Sequence, residues 1–242
     1  MSPGSLEAST ATVAALPGIL AGSRSRVELW DRLLRASGAR AVAEVGVFRG
    51  EFAAQLLDGN PGIERYVMID PWRRLSQWNK PMNARTDDFD AVFRDAMERT
   101  AHHADRRMVL RGTTSEVSGR LADDSLDVAY VDGDHTLRGI TIDLLRMWPK
   151  VKSGGWIGGD DFCPSIWQHP GCFEPTLVFP FAVHFAEAMD VPIHALPFNQ
   201  FLIHKCSAPG FAFHDWTGRY PDTALLEQIR KPATMADGPG RA

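Results

Sequence analysis

Glu44-Val45-Gly46-Val47-Phe48-Arg49-Gly50 is the stretch whose reading sets the fold. It closes a short apolar run, Ala41 to Val47, broken by one acid, and Phe52-Ala53-Leu56-Leu57 follows at helical spacing. A strand therefore passes into a helix through a turn with glycines at both ends. Such glycines let the backbone approach a ligand closely at the carboxyl edge of a sheet, where doubly wound folds bind nucleotides. Any tight strand-to-helix turn can use this spacing, so position carries more than pattern. A dinucleotide fold would show GxGxxG with no acid just before the first glycine. Glu44 puts a carboxylate where the phosphate would lie and suits a cationic or zwitterionic ligand better.

Working outward, apolar strands alternate with amphipathic helices. Val27-Leu29-Trp30-Leu33-Leu34 has helical spacing upstream of the turn. Downstream, strands are predicted at Tyr66–Ile69, Met108–Leu110, Leu126–Val131 and Trp156–Gly158, and helices at Phe89–Met97, Ser115–Leu121, Thr136–Trp148 and Phe179–Met189. Ile193–Ala195 and Phe201–Ile203 supply a closing hairpin pair, for seven strands in all. The pattern is α/β, a mostly parallel sheet covered by helices on both faces. A single domain is expected over 25–231, with a flexible or helical extension at 1–24 and a loose tail at 232–242.

The chain's 242 residues, 44% hydrophobic and 23% charged, suit one sizeable core. With 26 Lys+Arg against 30 Asp+Glu, the formal charge of −4 supplies no field for a nucleic-acid backbone or an anionic membrane. Three cysteines, Cys163, Cys172 and Cys206, without CxxC spacing argue against a disulfide framework or a structural zinc site. No apolar run reaches the roughly 20 residues of a membrane helix, and Met1-Ser2-Pro3-Gly4-Ser5 does not open a signal peptide. A cytoplasmic, soluble protein is expected.

Chemistry-bearing residues fall at the strand ends. Asp70 closes the second strand about twenty residues past the glycine turn, where an acid commonly accepts both ribose hydroxyls; it also reads as a turn aspartate before Pro71. Gly112-Thr113-Thr114-Ser115 follows the third strand, and Thr114 or Ser115 would meet an adenine edge, with Ser115 equally a helix cap. Val131-Asp132-Gly133-Asp134-His135 and Gly159-Asp160-Asp161-Phe162 end two further strands. If those strands are neighbours, Asp132, Asp160 and Asp161 converge, and like charges so close raise one another's pKa unless a cation neutralises them. Hard oxygen ligands favour Mg²⁺, Ca²⁺ or Mn²⁺; taken singly, each acid also reads as a solvated turn aspartate. His135 beside them is a candidate general base or a helix-start residue that merely hydrogen-bonds.

On these residues the chain resembles the class I S-adenosylmethionine-dependent methyltransferases. Within them it is similar to the metal-dependent small-molecule O-methyltransferases, including the macrocin O-methyltransferase-like enzymes that act on sugar hydroxyls. The resemblance rests on the Glu44–Gly50 turn, Ile69-Asp70-Pro71, Tyr130 to His135, Lys152-Ser153-Gly154-Gly155 and Gly159-Asp160-Asp161, and spans roughly 40–205. The most specific part is the Asp132–His135 element followed twenty-eight residues later by the acid pair. It implies a Rossmann-like methyltransferase fold, with Glu44, Gly46 and Gly50 around the methionine end of S-adenosyl-L-methionine and Asp70 on the ribose. Asp132, bordering the cofactor, would share a Mg²⁺ or another divalent cation with Asp160 and Asp161, and His135 or Asp132 would take the acceptor's proton.

Two segments read as lids, Pro71 to Lys80 and Phe162 to Phe179, both mixing aromatic with polar residues that can stack on and orient a hydroxylated acceptor. Ala14–Leu20 and Phe173–Phe185 would leave apolar patches on a monomer, so a homodimer is expected. The competing functions are a nicotinamide-dependent oxidoreductase and a nucleotide-binding module without turnover.

Overall fold

A computed structural model describes residues 3–85, 88–206 and 210–220. The chain runs through α1 (Pro3–Gly22), α2 (Arg26–Ser37), β1 (Ala41–Val45), α3 (Glu51–Gly59), β2 (Arg65–Asp70), α4 (Pro81–Arg85), α5 (Phe89–Arg99), β3 (Arg107–Arg111), α6 (Thr114–Val117) and β4 (Leu126–Val131). It continues through α7 (Leu137–Met147), β5 (Val151–Gly159), α8 (Val178–Ala188), β6 (Pro192–Leu196), β7 (Gln200–His204) and β8 (Ala212–Asp215). The expected tail at 232–242 and the end of the expected domain at 221–231 lie outside the described residues.

The strands form one sheet in the order β3-β2-β1-β4-β5-β7-β6-β8. β1 pairs in parallel with β2 and β4, and β4 with β5, whereas β7 runs against both β5 and β6. The sheet has eight strands rather than the seven expected: β8 pairs in parallel with β6, extending the edge. With four residues, none fully buried, β8 lacks the apolar alternation that would mark it in sequence.

Alternate residues of each strand feed two apolar layers, as the two-residue period requires. Ala43, Val45, Val67, Ile69, Ala129 and Val131 pack beneath α7 and α8. Val42, Tyr66, Met68, Val128 and Tyr130 pack on the other face with Trp30 and Leu33 of α2 and Phe52 and Leu56 of α3. The Ser25 hydroxyl caps α2 by accepting from the Glu28 amide, and Gly38 ends it in the left-handed region at φ 63°.

The segments expected to leave exposed apolar patches are largely used within the chain. Leu16 and Ile19 of α1 enter the second layer, and Phe179 and Phe185 enter the first. Among the described residues no helix is long and apolar enough to cross a membrane, and all three cysteines are free.

Candidate active site

The β1-to-α3 turn is built around a close approach. Gly46 adopts φ 90°, and a β-carbon there would lie 2.0 Å from the Asp132 carbonyl oxygen, so the β1 and β4 ends can meet only over a glycine. Gly50, at φ 74°, gives α3 the same freedom against α5, where a β-carbon would lie 3.0 Å from the Ala96 Cα. Both predicted glycines thus serve packing as well as leaving the turn's backbone open to a cleft of ≈ 320 Å³ at the carboxyl ends of β1, β2 and β4. Its volume lies within the range of ligand pockets, roughly 300–1,000 Å³.

Asp70 faces this cleft from the end of β2. One carboxylate oxygen accepts the Phe48 amide at 2.9 Å and the other the Trp72 amide at 2.7 Å. The carboxylate offers about four lone-pair sites, so acceptor capacity remains for a ribose hydroxyl. Burial raises the Asp70 pKa, with the backbone donors of Phe48, Trp72 and Val47 opposing it. Trp72, expected in a lid, is fully buried, and its indole donates to the Phe48 carbonyl at 2.8 Å, so it belongs to the wall of the turn.

Glu44 lies one step deeper, with the Tyr66 hydroxyl donating to it at 2.7 Å. Burial pushes its carboxyl up to about 8, against the Tyr66 hydrogen bond and the Arg26 charge. A ligand ammonium would restore its ionised form. At the far end of the cleft, the Thr114 hydroxyl donates to Asp143 of α7 at 2.5 Å. Burial brings Asp143 up to about 7. This acid was missed in the sequence, where it reads as one more helix position. It closes the end assigned to adenine and could accept an exocyclic amine. Ser115 does not share that position: Thr113 and Glu116 form the capping box of α6, and Ser115 lies exposed, outside the cleft lining.

The acids at the ends of β4 and β5 are arranged differently from expectation. Arg26, at the start of α2, hydrogen-bonds Asp132 at 2.9 Å through Nη1, and the same nitrogen contacts Asp160. Gln200 donates to the other oxygen of Asp160 at 2.7 Å and is itself held by the Trp30 indole at 2.8 Å. Asp161, in the left-handed region at φ 59°, turns away to pair with Nδ1 of His135. Burial raises both Asp132 and Asp160, each repelled by acid neighbours and relieved by Arg26. Burial would raise Asp161 too, but the His135 hydrogen bond and charge leave it lowered.

A divalent cation does not fit this arrangement as it stands. Among the described residues the three acids do not gather as a ligand set; the one His/Cys/Asp/Glu set whose donor atoms lie within 4.8 Å is Asp58, His102 and His103, away from the cleft. Arg26 supplies the neutralising charge that the sequence argument assigned to a metal, and Asp161 serves His135.

Residues 43–162 match the family model described as a methyltransferase domain. Solved structures share the fold. A Staphylococcus aureus protein with the provisional description caffeoyl-CoA O-methyltransferase is 13% identical at TM-score 0.56, over 81% of this chain and 90% of that one. The O-methyltransferase TomG of Streptomyces achromogenes, in complex with SAM, is 18% identical at TM-score 0.51, over 82% and 88%. An O-methyltransferase of Bacillus cereus, in complex with SAH, is 17% identical at TM-score 0.51, over 84% and 91%. No curated protein sequence gives a significant match.

Proposed function

We propose that this enzyme transfers a methyl group from S-adenosylmethionine to a hydroxyl oxygen of a sugar or another small polyhydroxylated acceptor. The observation that carries the oxygen acceptor is His135, which lines the cleft and is paired with Asp161. Asp161 accepts from Nδ1 of His135, which leaves Nε2 to act as a base, and Nε2 has no partner among the described residues.

The bound cofactor supplies a methyl already activated by its sulfonium. The protein's part is to align an oxygen with it and remove that oxygen's proton. Glu44 would pair with the cofactor's ammonium, Asp70 with its ribose, and Thr114 and Asp143 would close the adenine end. Nε2 of His135 takes the hydroxyl proton while Asp161 steadies the resulting imidazolium. Arg26 pairs with Asp132 and Asp160, and the proton is taken by His135.

Both competing functions predict other ligands or no product. A nicotinamide enzyme has no use for an acid at Glu44, and a module without turnover has no use for an oriented histidine base. The test is incubation with methyl-labelled S-adenosylmethionine and a panel of methyl glycosides. Label in an ether product supports the reading, and label retained on the cofactor with every hydroxylated acceptor refutes it. We propose further that the enzyme is a cytoplasmic homodimer; light scattering that returns a monomer mass removes the dimer.

A further inference from the structure

Two loops meet beside His135, which lines the cleft together with Trp78. The first, 71–80, follows β2, and the second, 160–177, follows β5. Lys80, almost fully buried, donates through Nζ to the carbonyls of Glu174 at 2.7 Å and Pro175 at 3.2 Å and to the Thr176 hydroxyl at 3.3 Å. The Asn79 amide side chain donates to the Cys172 carbonyl at 2.8 Å. This strap fixes the position of what the loops carry.

What they carry is a set of ring nitrogens with nothing to bond. Nε1 of Trp78 on the first loop, Nε2 of His169 on the second and Nε2 of His135 between them are buried and have no hydrogen-bond partner among the described residues. The Trp78 and His135 rings are 6.5 Å apart between centroids, and those of His135 and His169 are 5.7 Å apart. Buried polar groups are paired in the great majority of cases, and leaving one unpaired is costly. Three together on separately positioned segments mark a place that a ligand completes.

From this we infer that Trp78 and His169 form, with His135, an acceptor subsite that selects a vicinal pair of oxygens. The inference rests on the methyltransferase reading and adds the substrate class. Each nitrogen dictates part of the ligand. His135, its Nδ1 engaged by Asp161, accepts a proton from the reacting hydroxyl. The Trp78 indole N–H can only donate, so it requires an oxygen lone pair beside that hydroxyl. His169, whose pKa burial and the neighbouring Lys80 and His135 charges lower, is a neutral ring that can donate to or accept from the same second oxygen. An isolated alcohol satisfies His135 alone, whereas a vicinal diol satisfies the set. Trp78 and His169 are specificity residues, and Lys80 is a positioning residue behind them.

The test uses full-length, ¹⁵N-labelled protein saturated with S-adenosylhomocysteine. The Trp78 indole N–H signal is assigned by its loss in Trp78→Phe, and cis-1,2-cyclohexanediol and cyclohexanol are the probes. The diol is expected to shift this signal at about tenfold lower concentration than the mono-alcohol, the effect of one hydrogen bond to an otherwise orphaned donor. The diol's advantage, followed on the His135 ring signals, should shrink in Trp78→Phe and again in His169→Phe, with affinity for S-adenosylhomocysteine held within about twofold. Equal responses to the two probes, or no movement of the Trp78 signal with either, overturn the subsite. Failure to bind S-adenosylhomocysteine would instead overturn the parent reading, and calorimetry on the unlabelled protein distinguishes the two failures.

Discussion

The β-carbon that Gly46 lacks would stand 2.0 Å from the carbonyl oxygen of Asp132. The cofactor turn and the acid-bearing end of β4 are therefore one packed unit. Gly46→Ala combines a disfavoured φ with that overlap, and a loss of more than about 1 kcal/mol in stability is expected. Denaturant titration should show a lower midpoint, accompanied by weaker binding of S-adenosylhomocysteine. An unchanged midpoint would mean that the two ends separate freely.

Glu44 gives the site its pH dependence. Its folded pKa of about 8 lies above the ordinary 4.5, so the folded protein holds a proton that the unfolded chain releases. Stability therefore falls as pH rises from about 4.5 through about 8, and Glu44→Gln should remove that slope and stabilise the free protein at alkaline pH. The same variant should lose affinity for S-adenosylmethionine. In the unmodified protein, calorimetry in buffers of different ionisation enthalpy should show proton release on binding near pH 7. Binding with no proton release would sink the pairing of Glu44 with the ammonium.

Arg26 occupies carboxylates that a divalent cation would need. Turnover is expected to be unchanged by EDTA, and Arg26→Gln should gain Mn²⁺ binding, read by electron paramagnetic resonance, as Asp132 and Asp160 lose their counter-charge. Stoichiometric Mn²⁺ in the unmodified protein together with activity lost in EDTA would reverse the assignment.

Removing the base is a rate effect. His135→Ala should lower turnover by about 10²- to 10⁴-fold with cofactor affinity little changed. Asp161→Asn should move the pH profile of kcat as well as its height, since it alters the partner of Nδ1. A His135→Ala enzyme at full rate would remove the base from this residue.

The sequence and the structure agree where neighbours along the chain determine the outcome. The β1 turn, Asp70 before Pro71 and the strand ends at Asp132 and Asp160 follow from runs of apolar residues that stop at acids and glycines. What was not legible depends on contacts between distant segments. Arg26 meets Asp160 across 134 positions, Lys80 reaches Thr176 across 96, and Asp143 comes under Thr114 from a helix whose pattern gives no sign of a pocket residue. Ser115 failed for a local reason: Thr113 and Glu116 compete for the same cap and win it. The short β8 was silent because half-exposed edge residues carry little periodicity.

The most direct test of the account is calorimetric titration of the protein and of Asp70→Ala with S-adenosylhomocysteine, with NAD as the comparison ligand. The predicted result is one site per chain for S-adenosylhomocysteine and no heat with NAD, with the variant weaker by about 1–3 kcal/mol because the buried ribose hydroxyls lose their acceptor. Equal affinity in the variant, or NAD binding tighter than S-adenosylhomocysteine, would contradict it.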